Sequence, residues 1–351
     1  MQTIQVAMDN IIQRIQHPDN IWTWKESSRG TRQSVWLPYL ESITKKPKSQ
    51  NWLLAYNGGV VEADLKKIDF IMLYGGCGNL PAEFLDALNS HRICLSIHRR
   101  NMPRPYWFVP ASGADEDDIL TSHLVTRANN NKCTYVARTL VREKLLSAEN
   151  ALVVSGAEYK RLAATRNVEQ VRQIEAKHAS RYWTWFYGNL GITNEGITRR
   201  NFDHPVNSAL DAGSFFMHGI LLRWVLYHKL SPFHGFLHSQ TGFPSLIYDL
   251  IEPYRIWIEN SVIKAVGQVG MENDQTLVSS TISALKEMLD EIVYVPATRQ
   301  TVRRKALLHG SVLAMRAWLI GQQTRFVVPV EGKKKGGRPP KVGFQLPGYK
   351  K

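Results

Sequence analysis

The feature that most restricts the fold of this chain is a change of hydrophobic period partway along it. Between Trp52 and Val109 the apolar residues fall in short runs: Trp52 to Tyr56, Val60-Val61, Phe70 to Tyr74, Ile93 to Ile97 and Tyr106 to Val109. Gly58-Gly59, Gly75-Gly76 and the Pro103/Pro105 segment separate them, as turns separate the strands of a β domain. Leu80 to Leu88, with Pro81 near its start, reads as one short helix inside that domain. After the acidic loop Asp115 to Asp118 the spacing lengthens. Leu120, Leu124 and Ala128, then Val136, Leu140, Val141, Lys144 and Leu145, recur at helical intervals, and the pattern continues to about Leu319. The expected fold is therefore α+β, a β-rich N-terminal domain followed by a larger all-α domain.

Division into domains is consistent with 351 residues, 44% of them apolar, enough for two cores. Residues 1–50 form an N-terminal extension of unassigned role, with helix-like spacing at Ile4, Met8, Ile11, Ile12 and Ile15 and a basic, turn-rich connector from Thr44 to Ser49. Residues 51–115 are the β-rich domain and 116–330 the helical one. Within the latter, Asn207 to Leu230 reads as one long helix, apolar on nearly every face and hence central to its domain. Val266 to Ser279 is Gly-containing and polar and reads as a loop. Residues 331–351 read as a basic, disordered tail. Its Gly337-Arg338-Pro339 resembles the core of minor-groove AT-hook peptides, although a generally phosphate-attracting tail accounts for the same residues.

No apolar run approaches the ~20 residues of a membrane helix, and Met1 to Arg14 carries Asp9 where a signal peptide would have its apolar core. An intracellular, cytoplasmic protein is expected. Cys77, Cys94 and Cys133 fit neither a zinc pattern nor a disulfide framework. Lysine and arginine exceed aspartate and glutamate by 14, a surplus that favours a polyanionic partner, nucleic acid being the commonest.

Two segments could carry chemistry. In Val168 to Trp185 the positions Val171, Ile174, His178, Tyr182 and Trp185 mark a helix face, and Glu175 lies beside it. A carboxylate near a core seam needs a cation or a donor; a metal would serve, and so would Arg172 or Arg181. In the second segment, Gly235-Phe236-Leu237-His238 leads through a short loop to a helix starting near Pro244. Asp249 and Glu252, three apart, share a face of that helix. Pro253 cannot donate to the carbonyl of Asp249, so the helix should bend there. A loop histidine beside two acids suits a metal site, while an isolated histidine on an apolar segment is more often a satisfied core residue.

Together these motifs resemble the universal integrase family of CRISPR adaptation. That family has a Glu in a Glu-Gly-x-Ala-Ala-like helix, a His closing a Gly-Phe-Leu-His-like segment, and an Asp in a Leu-x-x-Asp-Leu-x-Glu-Pro-Phe-Arg-like helix. Here they correspond to Glu175 of Glu-Ala-Lys-His-Ala, His238 of Gly-Phe-Leu-His, and Asp249 of Leu-Ile-Tyr-Asp-Leu-Ile-Glu-Pro-Tyr-Arg. Val136-Ala137-Arg138 to Lys144-Leu145 and Pro205-Val206-Asn207-Ser208-Ala209-Leu210 extend the likeness, which covers roughly residues 51 to 320. Ala176 and His204 depart from the pattern at positions that are not metal ligands.

The resemblance implies a metal-dependent DNA integrase and endonuclease of prokaryotic antiviral defence. Glu175, His238 and Asp249 would hold Mg²⁺ or Mn²⁺, with Glu252 a supporting catalytic carboxylate or a partner of Arg255. The reaction implied is a transesterification joining the 3′-hydroxyl ends of captured prespacer DNA to the ends of a CRISPR repeat. It further implies a homodimer, with dimerisation through the β-rich domain, bridged by a small second CRISPR-associated protein. Arg199, Arg200, Lys333, Lys334, Lys335 and Arg338 are candidate DNA contacts; Trp183, Trp185 and Tyr187 are better read as packing residues than as base-stacking platforms. Three alternatives stand beside this: a casposon-type integrase, for whose usual helix-turn-helix module the ~20 residues after Val330 are too few; a repair nuclease; and a non-catalytic architectural DNA-binding protein.

Overall fold

The structure, a computed structural model, describes residues 32–99, 105–110, 118–148, 154–192, 198–199, 204–334, 336–337 and 341–348. The helical spacing over 4–15 lies outside them. Two compact units divide between Gly113 and Ala114, close to the expected boundary.

The first unit holds a six-stranded sheet of order β3-β2-β1-β4-β5-β6: β1 Gln33–Lys45, β2 Trp52–Tyr56, β3 Gly59–Ala63, β4 Ile68–Cys77, β5 Cys94–His98 and β6 Tyr106–Phe108. The sheet is mixed. β1, β4 and β5 run parallel, and the hairpins β1-β2-β3 and β5-β6 are antiparallel. Parallel neighbours need a crossover, which α1 (Ala82–Ser90) supplies between β4 and β5. Its Phe84 and Leu88 have no exposed surface and belong to one core with Leu37, Ile71, Leu73 and Leu95. Each such burial is worth about 1.5–3 kcal/mol.

The expected extension over residues 1–50 is corrected here. Gln33–Lys45 is hydrogen-bonded on both edges, to β2 and to β4, and so is integral to the sheet. The stretch expected as a connector is the β1-β2 turn, closed by Lys46 N–H to Asn51 O at 3.0 Å and Ser49 N–H to Lys46 O at 3.2 Å. The physical reason lies in burial: Val35, Trp36, Leu37 and Pro38 are buried in succession, so the first half of β1 lacks the alternation that marks a half-buried strand.

The second unit is helical: α2 Ile119–Ala128, α3 Asn130–Ser147, α4 Gly156–Ala163, α5 Val168–Asn189, α6 Pro205–Tyr227, α7 Ser245–Ile251, α8 Arg255–Val269, α9 Asp274–Asp290 and α10 Ala306–Leu319. The expected central helix is α6, buried on most of its faces and packed on α7, α8, α9 and α10. His204 caps it and Pro205 occupies its first turn, where a missing N–H costs nothing.

Two further expectations are corrected, and the second domain, mostly helical as expected, also carries a short hairpin. The loop over 266–279 shrinks to residues 270–273, because α8 continues to Val269 and Asn273 caps α9 through Thr276 N–H at 2.9 Å. The hairpin comprises β7 Ile292–Val295 and β8 Gln300–Arg303. Residues 341–348 of the tail, expected to be disordered, are docked. Phe344 and Leu346 are buried, and the Leu346 backbone pairs with the Gln300 amide in both directions, at 2.7 and 3.0 Å. Two apolar anchors with a paired backbone offset the ordering entropy that the basic composition suggested would prevail.

Candidate metal and nucleic-acid site

The candidate acids and His238 lie on α5, on the loop before α7, on α7 and at the α7-α8 junction, against which α3 packs. Asn167 caps α5 by accepting from Gln170 N–H at 2.9 Å. The helix then buries Val171, His178, Tyr182, Phe186 and Tyr187 and leaves Glu175 at the edge of that face, its side chain 24% exposed. The partner of Glu175 is neither Arg172 nor Arg181. Arg181 turns instead to Glu158, at 3.2 Å, and Glu175 accepts a hydrogen bond from the ammonium of Lys144, which reaches across from α3.

Asp249 is held differently. It is wholly buried and its carboxylate is the anchor of the loop before α7. It accepts from the backbone N–H groups of Phe236, Leu237 (2.8 Å) and His238 (2.9 Å), and from the His238 ring Nδ1 at 2.8 Å. Around it the loop is clasped from outside. Gly235 N–H donates to Ser245 Oγ at 2.9 Å. Arg127 donates to the carbonyls of Gly235 and Ser239, both at 3.0 Å, and His123 Nε2 lies 2.8 Å from the His234 carbonyl. Gly235 is required by space: a Cβ there would stand 2.7 Å from His238 O and 2.8 Å from Asp249 Oδ2.

With Nδ1 engaged by the carboxylate, the ring nitrogen that His238 can offer to a ligand is Nε2. Burial acts to lower the pKa of His238, but the hydrogen bond and charge of Asp249, joined by the charge of Glu252, outweigh it and leave it above the usual value.

Pro253 breaks the helix as expected, and a 3₁₀ turn over Glu252–Tyr254 links α7 to α8. That break separates the tasks of the two acids. Asp249 points back into the loop, whereas Glu252, 5% exposed, meets Lys144 Nζ at 2.6 Å and Arg255 Nη1 at 3.5 Å. The Lys144 contact satisfies charge rather than hydrogen-bond direction, so Glu252 Oε2 is buried without an aligned donor. Burial would raise the Glu252 pKa; the cations Lys144 and Arg255 override it and hold the carboxyl down at about 2. A cavity of about 100 Å³ adjoins these groups, lined among others by Lys144, Glu175, Tyr182, Trp183, Glu252 and Glu259.

The expected triad is thus regrouped. Glu175 and Glu252 share one cation, Lys144, and His238 is joined to Asp249, with its charge felt at Glu252. Among the described residues no group of three or more His, Cys, Asp or Glu side chains is already arranged around a common point for a metal ion. Asp249, expected as a ligand, has oxygens that accept four hydrogen bonds, and it has no exposed surface.

Of the candidate DNA contacts, Arg199 is tied to Asp211 by an ion pair and lies over the Trp183 ring, 5.9 Å from its centre. Its guanidinium is thus not the solvated surface charge that is the alternative to a DNA contact. Lys333 and Lys334 are exposed; Arg200, Lys335 and Arg338 lie outside the described residues. Tyr187 packs as expected, donating to Asn207 Oδ1 at 2.6 Å, while Asn207 Nδ2 donates to Thr198 O at 2.9 Å. Trp183 and Trp185 are half-buried, and Trp183 forms part of the cavity wall. Lys144 had no assigned role, yet one signal was present: a charged residue recurring in register with the apolar stripe of α3 must meet a counter-charge inside the fold.

Comparison with known proteins adds the following. The family model described as CRISPR associated protein Cas1 matches residues 45–293. Two proteins of Pyrobaculum aerophilum are similar in sequence. CRISPR-associated endonuclease Cas1 2 is 27% identical over 131 residues, 37% of this chain, and the match spans 43% of that protein. CRISPR-associated endonuclease Cas1 1 is 26% identical over 225 residues, 59% of this chain and 74% of that protein. Among solved structures, a casposase bound to integration product superposes with TM-score 0.69 at 16% identity, over 84% of this chain and 92% of that one. A Cas1 protein from Thermotoga maritima gives 0.70 at 18%, over 86% and 100%. A chain of a Cas6-RT-Cas1–Cas2 complex gives 0.69 at 13%, over 86% of this chain and 36% of that one. At these identities the structural likeness speaks for the fold.

Proposed function

We propose the function from one premise: this chain belongs to the Cas1 family of CRISPR-associated proteins. On that premise it is a divalent-metal-dependent DNA endonuclease and integrase that joins 3′-hydroxyl ends of prespacer DNA to the ends of a CRISPR repeat. Its partners are DNA, a second copy of itself and a Cas2-type protein, and it acts in the cytoplasm. The observation that carries this reading is the convergence of two carboxylates, Glu175 from α5 and Glu252 from the α7-α8 turn, on one cation beside the braced imidazole of His238.

The residues fit a hard divalent ion. Two carboxylates and an imidazole nitrogen are donors that Mg²⁺ and Mn²⁺ accept, and Glu252 Oε2 is buried with no aligned donor. Glu175, Glu252 and His238 Nε2 are the proposed ligands, in place of the set containing Asp249. When bound, the ion would supply positive charge at the scissile phosphate and lower the pKa of the attacking hydroxyl.

The chain's own residues do the rest. Asp249 acts through His238: it fixes the ring's tautomer and direction by accepting from Nδ1, and it fixes the loop by accepting from three backbone N–H groups. Arg255, within 3.5 Å of Glu252 and 3.8 Å of Glu259, orients Glu252 and keeps it ionised. In the transfer, a 3′-hydroxyl oxygen forms a new bond to phosphorus as the bond to the repeat's own 3′ oxygen breaks, and that oxygen leaves as a hydroxyl. The number of phosphodiester bonds is unchanged. With water as the nucleophile the product is a nick.

The test is strand transfer: the protein, Mn²⁺, a supercoiled repeat-bearing plasmid and a short duplex with free 3′-hydroxyls. Covalent products should form in wild type and disappear in Glu175→Gln and Glu252→Gln. Products that persist in excess chelator would refute the proposal. A casposon-type integrase is the second reading, favoured by the backbone likeness to a casposase; preferential joining of transposon ends over prespacer ends would select it.

A further inference from the structure

Lys144 is an unusual lysine for a surface-facing helix position. It follows Leu140 and Val141 and precedes Leu145, all buried. Lysines at such an edge ordinarily extend their stems outward so that the ammonium reaches water. Here the side chain is only 20% exposed and turns inward, its Nζ hydrogen-bonded to Glu175 Oε1 and 2.6 Å from Glu252 Oε2. The two carboxylates come from different elements, α5 and the turn after α7, and Lys144 is the cation common to both.

We propose that Lys144 is the resident counter-cation of this site: it holds Glu175 and Glu252 together in the metal-free protein and must be displaced by the divalent ion, so that it sets the affinity of the site. The inference rests on the metal-site reading above.

Three physical points support it. Two carboxylates this little exposed repel each other unless a positive charge stands between them, and the ammonium is that charge. An ion bound to the same oxygens needs contacts of about 2.0–2.2 Å, and Nζ at 2.6 Å from Glu252 Oε2 already fills that space. The adjoining cavity of about 100 Å³ gives the displaced side chain somewhere to go, and its wall contains another buried carboxylate, Glu259, which accepts from Tyr182 Oη at 2.5 Å. Displacement therefore moves Lys144 within an acidic wall rather than stranding its charge. It also makes the site selective: a monovalent ion would only replace one unit charge with another, whereas a divalent ion adds one.

The experiment is calorimetric titration of Mn²⁺ into the metal-free full-length protein, wild type against Lys144→Met, Lys144→Gln and Lys144→Arg, with melting curves at zero and saturating Mn²⁺. Lys144→Met and Lys144→Gln should bind Mn²⁺ about tenfold tighter or more, a change of about 1.4 kcal/mol. They should melt lower than wild type without metal and gain more from it. Lys144→Arg, which keeps the charge, should stay within about twofold of wild type. A purely structural role predicts the opposite, equal or weaker binding in the neutral variants, and that result overturns the proposal while leaving the metal site standing. Tightening in Lys144→Arg equal to that in Lys144→Met also overturns it. No Mn²⁺ binding in wild type would overturn both readings. If the neutral variants are unfolded without metal, refolding on addition of Mn²⁺ supports the proposal, and failure to refold counts against it.

Discussion

Replacing Asp249 by alanine tests the division of labour between the two acids of the α7 segment. In the folded protein its carboxylate accepts from Phe236, Leu237 and His238 N–H and from His238 Nδ1, and it has no exposed surface. Truncation leaves three backbone donors buried without an acceptor, each costing about 1–3 kcal/mol. Allowing water to reach part of the vacated space, the loss should be roughly 3–6 kcal/mol, much of the 5–15 kcal/mol typical of a whole domain. Asp249→Asn retains one acceptor oxygen but turns an amide N–H toward backbone donors, so a loss of about 2–3 kcal/mol is expected, near the upper range for one unsatisfied buried group. Urea denaturation gives the size of the effect, and hydrogen exchange gives its place. The Leu237 and His238 amides, slow in wild type, should become fast in Asp249→Ala and stay slow in Glu252→Gln. If those two amides remain protected in Asp249→Ala, or stability changes by less than about 0.5 kcal/mol, the range of an ordinary surface substitution, the carboxylate does not hold the loop and the regrouped ligand set falls with it.

Two further outcomes follow from the same structure. Gly235→Ala places a Cβ 2.7 Å from His238 O, 2.8 Å from Asp249 Oδ2 and 2.9 Å from the Ser245 carbonyl carbon; with two of the three neighbours backbone, the loop must shift. A destabilisation of about 2–3 kcal/mol, in the range of overpacking, should accompany weakened Mn²⁺ binding, and a melting curve matching wild type would contradict it. The second concerns acid. Burial drives the pKa values of His218 and His309 down to about 3 and those of His123 and His228 down to about 4. Folded, these groups stay neutral where the unfolded chain takes up protons below 6.5, so stability is lost as pH falls from about 6.5 toward 4. The slope reaches about 1.4 kcal/mol per pH unit for each group. His178 and His204 are lowered by burial as well, and His238, whose pKa is raised, works the other way, one group against six. Denaturant midpoints should therefore be clearly lower at pH 5.5 than at pH 7.5, and equal midpoints would refute the burial argument.

What could be read from the sequence depended on whether a residue's environment is set locally. The helices of the second unit were legible because each buries one stripe against solvent on the other side, and α6 because it buries nearly everything. The first half of β1 was not, since burial on both faces over Val35 to Pro38 erases alternation there. The docked tail was missed for a related reason: Phe344 and Leu346 are only two residues in a basic segment, and their weight comes from a distant partner, Gln300. In the site, the place of Glu175 at the edge of a buried helix face and the bend at Pro253 followed from sequence. The different settings of Asp249 and Glu252 did not, since two acids three apart look alike until the loop amides of 236–238 are seen to claim one of them.

That choice has an energetic basis that extends beyond this loop. For Asp249 to bind an ion it would have to give up hydrogen bonds to three buried amides and an imidazole, and each amide left without an acceptor costs about 1–3 kcal/mol. Glu252 gives up much less. It is already ionised at any pH above about 2, already desolvated, and already facing a cation. Binding there, as proposed, would exchange one positive charge for a larger one at oxygens whose desolvation was met when the chain folded. The helix break at Pro253 is what makes the difference, because it turns Glu252 toward α3 and α5 while Asp249 stays locked beneath the loop. A fully satisfied buried carboxylate is therefore a poor ligand and a good brace, and an acid held by a displaceable cation is the reverse.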